Sequence, residues 1–252
     1  MSTEAKNLRN SFLEDFDFSA PGRTNFWEGE YSFFQFNSQG QRNFFINELR
    51  SYTIYILERS KDCVVQINNQ EFRPTVGDSF QFEGINCKFS FDKGHCIFLV
   101  SGSNKQPGSK YHDFKRYNDI YKVSKPWGQE LWINNEHPLY AFKKIDLTKG
   151  SKTSLQYHCQ KKETLILMKG RALLHFQRED YNQDYDFSET DIMKTEISPY
   201  SIINISPKQV HRLEALTNIE LYETSTPEYN DVIRLRDDTN RKNGKIQSEH
   251  ID

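Results

Sequence analysis

The segment GSKTSLQYHCQKKETLILMKG, residues 150–170, carries the pattern that is most informative about the fold of this chain. In this segment Gln156 and His158 are two residues apart, and Glu163 follows five residues after the histidine. Because alternate residues of a strand point to one face, Gln156 and His158 share a face, and a turn precedes a second strand that Glu163 opens. Together with His211 further along, two imidazoles, a carboxylate and an amide oxygen form a plausible site for a borderline divalent cation.

The spacing G-x5-Q-x-H-x4-E-x6-G resembles the first motif of the cupin superfamily, with Gln156 at the place of the usual first histidine. Pro207-Lys-Gln-Val-His211 is similar to the second motif, which supplies the last metal ligand. Within the cupins, roughly the C-terminal half resembles the mannose-6-phosphate isomerase group. The segments that recur there in the same order are KPWG (125–128), KIDL (144–147), SLQYH (154–158), HRL (211–213) and DVIRLRDDTNR (231–241).

This resemblance implies a fold, a cofactor and a reaction. The fold is an all-β cupin, that is, a double-stranded β-helix or jelly-roll barrel. The cofactor is one divalent metal ion held by Gln156, His158, Glu163 and His211, with zinc first and Mn, Fe, Ni or Co as alternatives. The reaction is aldose–ketose interconversion of the mannose-6-phosphate/fructose-6-phosphate type, and the partner is a small sugar phosphate or nucleotide sugar.

Two other functions fit the same residues. One is a sugar- or nucleotide-sugar-binding cupin of polysaccharide biosynthesis that performs no catalysis. The other is a metal-dependent oxygenase, because two histidines and a carboxylate also suit Fe(II), although Gln156 in place of a histidine argues against it. A hydrophobic, aromatic pocket without basic groups would favour the oxygenase, whereas a pocket with lysine or arginine would favour phosphosugars.

Both halves of the chain contain the same pattern, short apolar–aromatic runs separated by turn residues. This pattern predicts strands throughout. The runs are residues 51–59, 63–68, 79–83, 87–92 and 96–101, then 140–147, 164–168, 172–176, 201–205 and 219–225, with a linker candidate at 102–110. We therefore predict a tandem bicupin: residues 1–110 form a degenerate β domain without a metal site, and 111–252 form the metal-binding domain. Residues 231–241 are expected to begin as a short helix, and the polar end from residue 240 is expected to fray.

The composition favours a β-sheet protein and argues against one that binds nucleic acid or anionic lipid. The 252 residues include 19 Phe and 13 Tyr, which favour pleated sheets, and the net charge of −2 offers no basic excess to nucleic acid or anionic lipid. The first residues contain no apolar signal region and no later run is long enough to span a bilayer, so we expect a cytoplasmic protein. The four cysteines lack metal or disulfide spacing and predict free thiols. Cupin barrels often pair through edge strands, and a homodimer is expected.

Two lysines alternate in a predicted strand, so only one of Lys143 and Lys144 can face the barrel interior. Counting back by twos from His158 favours Lys144. A buried ammonium needs an anionic partner, which a phosphate, Glu130 or Glu223 could supply. An isomerase also needs a base with a pKa near neutrality, and Lys144 or Glu130 would serve if burial shifts its pKa.

Further candidates concern substrate binding. The resemblance places Trp127 near the substrate, although packing in the core explains it equally well. Arg212 and Arg241 are candidates for holding a phosphate, because arginine binds such oxyanions through two hydrogen bonds. Pairing with nearby aspartates is the alternative for both, and it is the preferred interpretation for Arg234. His137 and His175 have no partner pattern and are expected to be ordinary core or surface residues.

Overall fold

Strands make up nearly all the regular structure of the chain. The computed structural model describes residues 13–15, 30–37, 43–45, 49–67, 70–84, 88–106, 108, 111–177 and 189–250. The strands are β1 Leu13–Asp15, β2 Ser32–Asn37, β3 Asn43–Phe45, β4 Ser51–Arg59, β5 Val64–Ile67, β6 Gln70–Phe72, β7 Ser79–Glu83, β8 Lys88–Lys93, β9 Cys96–Ser103, β10 Tyr111–Lys115, β11 Tyr121–Lys125, β12 Gly128–Trp132, β13 Ala141–Leu147, β14 Leu155–Tyr157, β15 Glu163–Lys169, β16 Ala172–Gln177, β17 Ile192–Ile197, β18 Ser201–Ile205, β19 His211–Ala215, β20 Ile219–Ser225 and β21 Ile233–Arg236.

Helical structure in the described residues is limited to three short 3₁₀ turns. These are Tyr117–Asp119, Glu189–Asp191 and Gln247–Glu249. No helix in this part of the chain has the length and apolarity that a membrane span requires. The fold is thus all-β, as the aromatic-rich composition predicts.

The chain packs as two units that interleave along the sequence. The described residues of Asp17–Tyr121 and of Ile133–Phe142 form one, called the N-terminal unit here. Those of Met1–Phe16, Lys122–Trp132 and Lys143–Asp252 form the other, the C-terminal unit. The boundary predicted at residue 110 stays a prediction.

The N-terminal unit contains a five-stranded sheet, in the order β10-β7-β4-β9-β2, and a four-stranded sheet, β3-β8-β5-β6. Strand β4, at the centre of the five-stranded sheet, is buried on both faces. Tyr52, Ile54 and Ile56 point into an apolar core that also contains Phe82 and Phe98. The alternation of side chains along β4 therefore leaves its other face to Ser51, Thr53 and Tyr55.

That second face holds a buried polar cluster. Glu83 Oε1 accepts hydrogen bonds from Ser51 Oγ at 2.9 Å and from Gln81 Nε2 at 3.1 Å, and it lies 2.8 Å from His137 Nε2. Leu139 N donates to His137 Nδ1. These contacts stabilise one oxygen of a buried carboxylate, Oε1, whereas Oε2 is buried without a hydrogen-bond partner. His137, which has no partner pattern in the sequence, thus lies in the interior of this unit.

The C-terminal unit contains a seven-stranded sheet, β1-β18-β15-β20-β13-β12-β11, and a five-stranded sheet, β17-β16-β19-β14-β21. Neighbouring strands for which the register is defined run antiparallel, for example β15 with β18 and β20. The core of the unit draws on both sheets, with Leu165, Ile205 and Leu221 from the first and Leu174 and Leu213 from the second.

Each of the ten predicted runs of apolar residues overlaps a strand. β4, β7, β18 and β20 match the predicted bounds. The helix predicted after residue 231 is wrong, because Ile233–Arg236 is a strand that pairs with β14. Its alternating Ile233 and Leu235 pack on Leu155, Tyr157 and Val210, so burial overrides the local helix preference.

The cysteines are consistent with the prediction of free thiols where the structure describes them. Cys63 and Cys96 are buried and Cys159 is exposed, and none of the three forms a disulfide. Cys87 lies outside the described residues.

Candidate metal site and cavity

The side chains of His158 and His211 both direct their Nε2 atoms toward the Glu163 carboxylate. His158 follows the last residue of β14, and His211 opens β19, which pairs with β14. The Nδ1 of His158 donates to the backbone carbonyl of Asp231, and the Nδ1 of His211 lies 3.0 Å from the carbonyl oxygen of Gln209. A carbonyl can only accept, so Nδ1 of each ring carries a proton and Nε2 of each ring is the nitrogen directed at the cluster.

Glu163 completes the cluster from the opposite sheet. It is the first residue of β15, and its Oε2 lies 3.3 Å from His158 Nε2 and 3.5 Å from His211 Nε2. The three potential ligand atoms all lie within 4.8 Å of one another and all three residues are buried. Ligands at roughly 2.1 Å from a tetrahedral ion would be about 3.4 Å apart, so these separations suit a metal of that kind.

The protonation and hydrogen bonding of the histidines also fit a metal. Among the buried side-chain atoms of the described residues, His158 Nε2 is one that has no hydrogen-bond partner. Burial lowers the pKa of His211 to about 4, against the opposing effect of Glu163, so the ring is neutral at pH 7. Metal ligation requires neutral imidazoles, and a buried polar atom without a hydrogen-bond partner is unfavourable unless something binds it.

Gln156, the fourth predicted ligand, lies directly opposite His211 in the β14–β19 pair and lines the same cavity. The structure therefore brings all four predicted ligand residues to one place. The turn that separates His158 from Glu163 carries the chain from the five-stranded to the seven-stranded sheet. Asp231 fixes this turn, because its carboxylate accepts hydrogen bonds from the backbone N–H groups of residues 159–161.

Lys161 is a neighbour of the cluster that the sequence reasoning did not single out. Its Nζ donates to Glu163 Oε1 and, at 2.8 Å, to Glu223 Oε1. Burial alone would lower the pKa of Lys161, but the two carboxylates raise it above its ordinary value. The ammonium therefore stays charged and leaves only Oε2 of Glu163 facing the histidines. Its position two residues before Glu163 is the signal that could have identified it, since such residues share a face.

The cluster lies in a cavity of about 120 Å³ in the C-terminal unit. One water needs roughly 10–15 Å³, so the cavity has room for several waters or a small ligand. The cavity walls carry more cationic side chains than carboxylates. The cations are those of Lys125, Lys143, Lys161, Arg234, Arg241 and Lys245, and the carboxylates are those of Glu130, Glu163 and Glu223.

Trp132 is the aromatic centre of one cavity wall. The Tyr229 ring stacks on it at 5.5 Å between centroids, and the His250 ring meets it edge-on at 5.0 Å. The Nζ atoms of Lys143 and Lys245 lie 4.3 and 5.4 Å from its centroid. Cations are attracted to the face of an indole at such distances. The wall thus positions two ammonium groups beside the cavity.

The orientation predicted for the lysine pair is wrong. Lys143 lines the cavity, together with Ile145 and Leu147 of the same strand, and its Nζ lies 3.8 Å from Glu223. Lys144 does not line it and pairs instead with Glu220 at 3.0 Å and Asp146 at 3.2 Å. Counting by twos from His158 fails because the intervening turn at Gly150, where φ is +81°, breaks the alternation of faces.

The two base candidates are not shifted toward neutrality. Burial would raise the pKa of Glu130, but Lys143, Lys125 and the Trp132 N–H lower it overall. Burial would lower the pKa of Lys144, but Glu220 and Asp146 raise it overall. Glu130 lines the cavity and accepts a hydrogen bond from Trp132 Nε1 at 2.8 Å. Glu130 is therefore an ionised carboxylate inside the cavity, whereas Lys144 is a charged lysine outside it.

The remaining predicted residues divide between the cavity and the framework around it. Trp127 lines the cavity and also belongs to the apolar core. Arg241 lines the cavity and pairs with Asp237 at 2.7 Å. Arg212 is not among the lining residues and donates to the Thr153 carbonyl and to Asp238. Arg234 lines the cavity and donates to Ser154 and to backbone carbonyls rather than to an aspartate.

Comparison with known proteins identifies the fold. The sequence matches no protein-family model and no curated protein. Among solved structures, an oxalate decarboxylase from Lactobacillus farciminis has a TM-score of 0.56 at 11% identity over 89% of this chain and 88% of its own. GK1651 from Geobacillus kaustophilus has a TM-score of 0.60 at 8% identity, covering 86% and 93%. Vicilin from Solanum lycopersicum has a TM-score of 0.55 at 10% identity, covering 82% and 78%.

The oxalate decarboxylase and vicilin are bicupins, and the chain has the bicupin fold, as predicted. At these identities the likeness extends to the fold alone. The C-terminal unit adds to that fold a buried two-histidine, one-glutamate cluster.

Proposed function

We propose that the C-terminal unit binds one divalent metal ion, zinc first, through His158, Glu163 and His211 with Gln156 as a fourth ligand. The proposal is supported by the spacing of the ligand atoms, by the Nδ1 hydrogen bonds that orient both imidazoles and by the lowered pKa of His211. A bound ion would supply Lewis acidity, polarising a carbonyl or hydroxyl oxygen. Lys161 contributes by holding Glu163 with one oxygen toward the histidines.

We further propose that the cavity accepts a phosphosugar and that the protein interconverts an aldose and a ketose of the mannose-6-phosphate/fructose-6-phosphate type. The observation that carries this proposal is the excess of lysine and arginine in the cavity walls, since such groups bind phosphate and an oxygenase pocket does not need them. Glu130 is the remaining candidate for the proton-transferring base because it lies in the cavity as a carboxylate.

A sugar-binding cupin without turnover is the second candidate. It is favoured by the lowered pKa of Glu130, because burial is outweighed there by Lys143 and Lys125 and the carboxylate is a weak base at pH 7. The two candidates predict the same ligand and the same metal site. They differ in whether mannose 6-phosphate is converted.

Metal analysis and an isomerase assay test the proposal together. We expect about one equivalent of metal in the wild type and its loss in His211→Ala, because a site with roughly 2.1 Å bonds rarely tolerates removal of a ligand. His175→Ala is the matched control, since His175 is also largely buried and paired with a glutamate but lies outside the cluster. It should keep the metal.

The outcomes separate the candidates. Conversion of mannose 6-phosphate that depends on the metal supports the isomerase, whereas binding without conversion supports the sugar-binding cupin. Absence of stoichiometric metal from the wild type after reconstitution would exclude the metal-dependent mechanism. A homodimer stays a prediction.

A further inference from the structure

The chain from residue 242 to residue 250, called the C-terminal strap here, lies along the cavity. Gly244, Lys245, Ile246 and His250 are among the lining residues. The start of the strap is attached to the unit by hydrogen bonds from Gly244 N to Val232 O and from Lys245 N to Asn230 Oδ1, each 2.8 Å long. The strap is therefore a wall of the same cavity that contains the metal-ligand cluster.

Glu249 of the strap lies between two cations of the cavity. Its Oε2 is 2.8 Å from Lys125 Nζ, and its Oε1 is 3.5 Å from Arg241 Nη1. The side chains of Lys125, Arg241 and Glu249 are only 9%, 10% and 13% exposed. Charges that are this well buried are unfavourable unless they are paired. Lys125 also lies 3.8 Å from Glu130 and Arg241 pairs with Asp237 at 2.7 Å, and Glu249 is the carboxylate that contacts both cations.

The two cations have the geometry of an oxyanion site. Arg241 donates through Nη2 to Asp237 and Ser154, which fixes its guanidinium plane and leaves Nη1 directed at Glu249. Lysine acts as a point charge and arginine as a planar donor, a combination that proteins use for phosphate. A carboxylate and a phosphate monoester present similar oxygens to such a pair, and the carboxylate of Glu249 fills that place.

The outer part of the strap has few backbone attachments. Within the described residues, the backbone bonds of its last turn are local, from Glu249 N to Ile246 O and from His250 N to Gln247 O. Side chains supply the other contacts, chiefly Glu249 with the cations and His250 with Trp132. A segment held in this way can separate from the cavity without disrupting a sheet.

We propose that Lys125 and Arg241 form a subsite for the phosphate group of the ligand and that Glu249 is an intramolecular competitor for it. The proposal rests on the proposed function only for the choice of a phosphosugar. Binding of a phosphate displaces the Glu249 carboxylate and releases residues 247–250. Glu249 therefore sets the apparent affinity of the cavity for phosphate-bearing ligands.

Glu249→Gln in the full-length chain tests this assignment, with inorganic phosphate as the probe. A competitor that occupies the subsite nine-tenths of the time lowers apparent affinity about tenfold, so we expect phosphate to bind about tenfold more tightly to the variant by calorimetry. Glu196→Gln is the matched control, because Glu196 pairs with Arg171 on an exposed surface. It should leave the affinity unchanged. Lys125→Met added to Glu249→Gln should remove the gain.

Hydrogen exchange supplies a second readout that distinguishes competition from closure. Saturating phosphate should speed the exchange of the Glu249 and His250 amides in the wild type, because the strap is released. Slower exchange, or an unchanged phosphate affinity in Glu249→Gln, would overturn the proposal. Tighter phosphate binding in a protein that holds no metal would leave the subsite standing while the isomerase fails. If the metal-loaded protein is an active isomerase but Glu249→Gln binds phosphate with unchanged affinity, the proposed function stands and the subsite proposal fails.

Discussion

At the scale of single residues, the function of a side chain in this protein follows from the face of the strand on which it lies. Gln156 and His158 are placed correctly by simple alternation, since they are two residues apart at one strand end. Glu163 is predicted to open a strand and does so. Lys143 and Lys144 are misassigned, because the count that connects them with His158 passes through the turn at Gly150. Alternation thus assigns the correct face within a strand and immediately beside its end, but not across the turn at Gly150.

The lysine pair gives a test at this scale, with each residue as the control for the other. Lys143→Met removes an ammonium group from the cavity wall and should weaken mannose 6-phosphate binding by about tenfold, the effect of roughly 1.4 kcal/mol. Lys144→Met removes the same charge from a position that pairs with Glu220 and Asp146. It should change the affinity less than twofold. Calorimetric titration measures both, and a loss confined to Lys144→Met would contradict the assignment.

At the scale of elements, sequence patterns predict the strands better than the segments between them. Alternating aromatic and β-branched residues define β4 and β7 at their correct ends. The polar composition from residue 240 predicts fraying, but the C-terminal strap, residues 242–250, is instead a wall of the cavity. Polar composition does not predict this, because two contacts that hold the strap, the Lys125–Glu249 ion pair and the Trp132–His250 ring contact, join residues more than 100 positions apart in the sequence.

The polar cluster on β7 provides a stability prediction. Glu83→Ala removes the acceptor of Ser51 and Gln81 and the partner of His137, and these groups stay buried. Leaving a buried hydrogen-bond donor without its acceptor costs about 1–3 kcal/mol of unfolding free energy. Glu71→Ala is the control from the same unit, because Glu71 is more than half exposed.

Urea denaturation followed by tyrosine and tryptophan fluorescence measures both variants. Glu71→Ala should differ from the wild type by less than about 0.5 kcal/mol. A loss below about 1 kcal/mol in Glu83→Ala would show that the cluster contributes little to the stability of the N-terminal unit.

The strap should respond to pH through His250. Burial, then the positive charges of Lys125 and Lys245, lower its pKa to about 4, with Glu130 acting in the opposite direction and Lys143 in the same one. A released strap would regain the ordinary histidine pKa of about 6.5 and bind a proton more readily. The closed strap is thus fully favoured above about pH 6.5 and loses stability as the pH falls toward 4.

Hydrogen exchange of residues 247–250 at pH 7.5 and 5.5, corrected for intrinsic rates, measures this effect. Opening should increase by at most about tenfold per pH unit, the limit for one proton. His250→Asn should remove the part of the pH dependence that His250 causes. A strap that is equally protected at both pH values in the wild type would contradict the prediction.

At the scale of the whole molecule, the motifs of the C-terminal half predict the fold class and the position of the metal-ligand cluster. The alternation of apolar runs and turn residues in the N-terminal half predicts a second β unit. What the sequence does not predict is that residues 133–142 belong with the N-terminal unit. The contact between Glu83 and His137 joins residues that are far apart in the sequence and depends on packing. No local pattern around His137 predicts Glu83 as its partner.

The interleaving of the two units has a consequence for synthesis of the protein. When residues up to 121 have left the ribosome, the nascent N-terminal unit contains Glu83 and Thr53 but not His137 and Tyr140, with which they form hydrogen bonds. Tyr140 and its neighbours become available only after the first strands of the other unit have been translated. We therefore expect the N-terminal unit to complete its folding only after residue 142 has left the ribosome, when part of the C-terminal unit has already been synthesised.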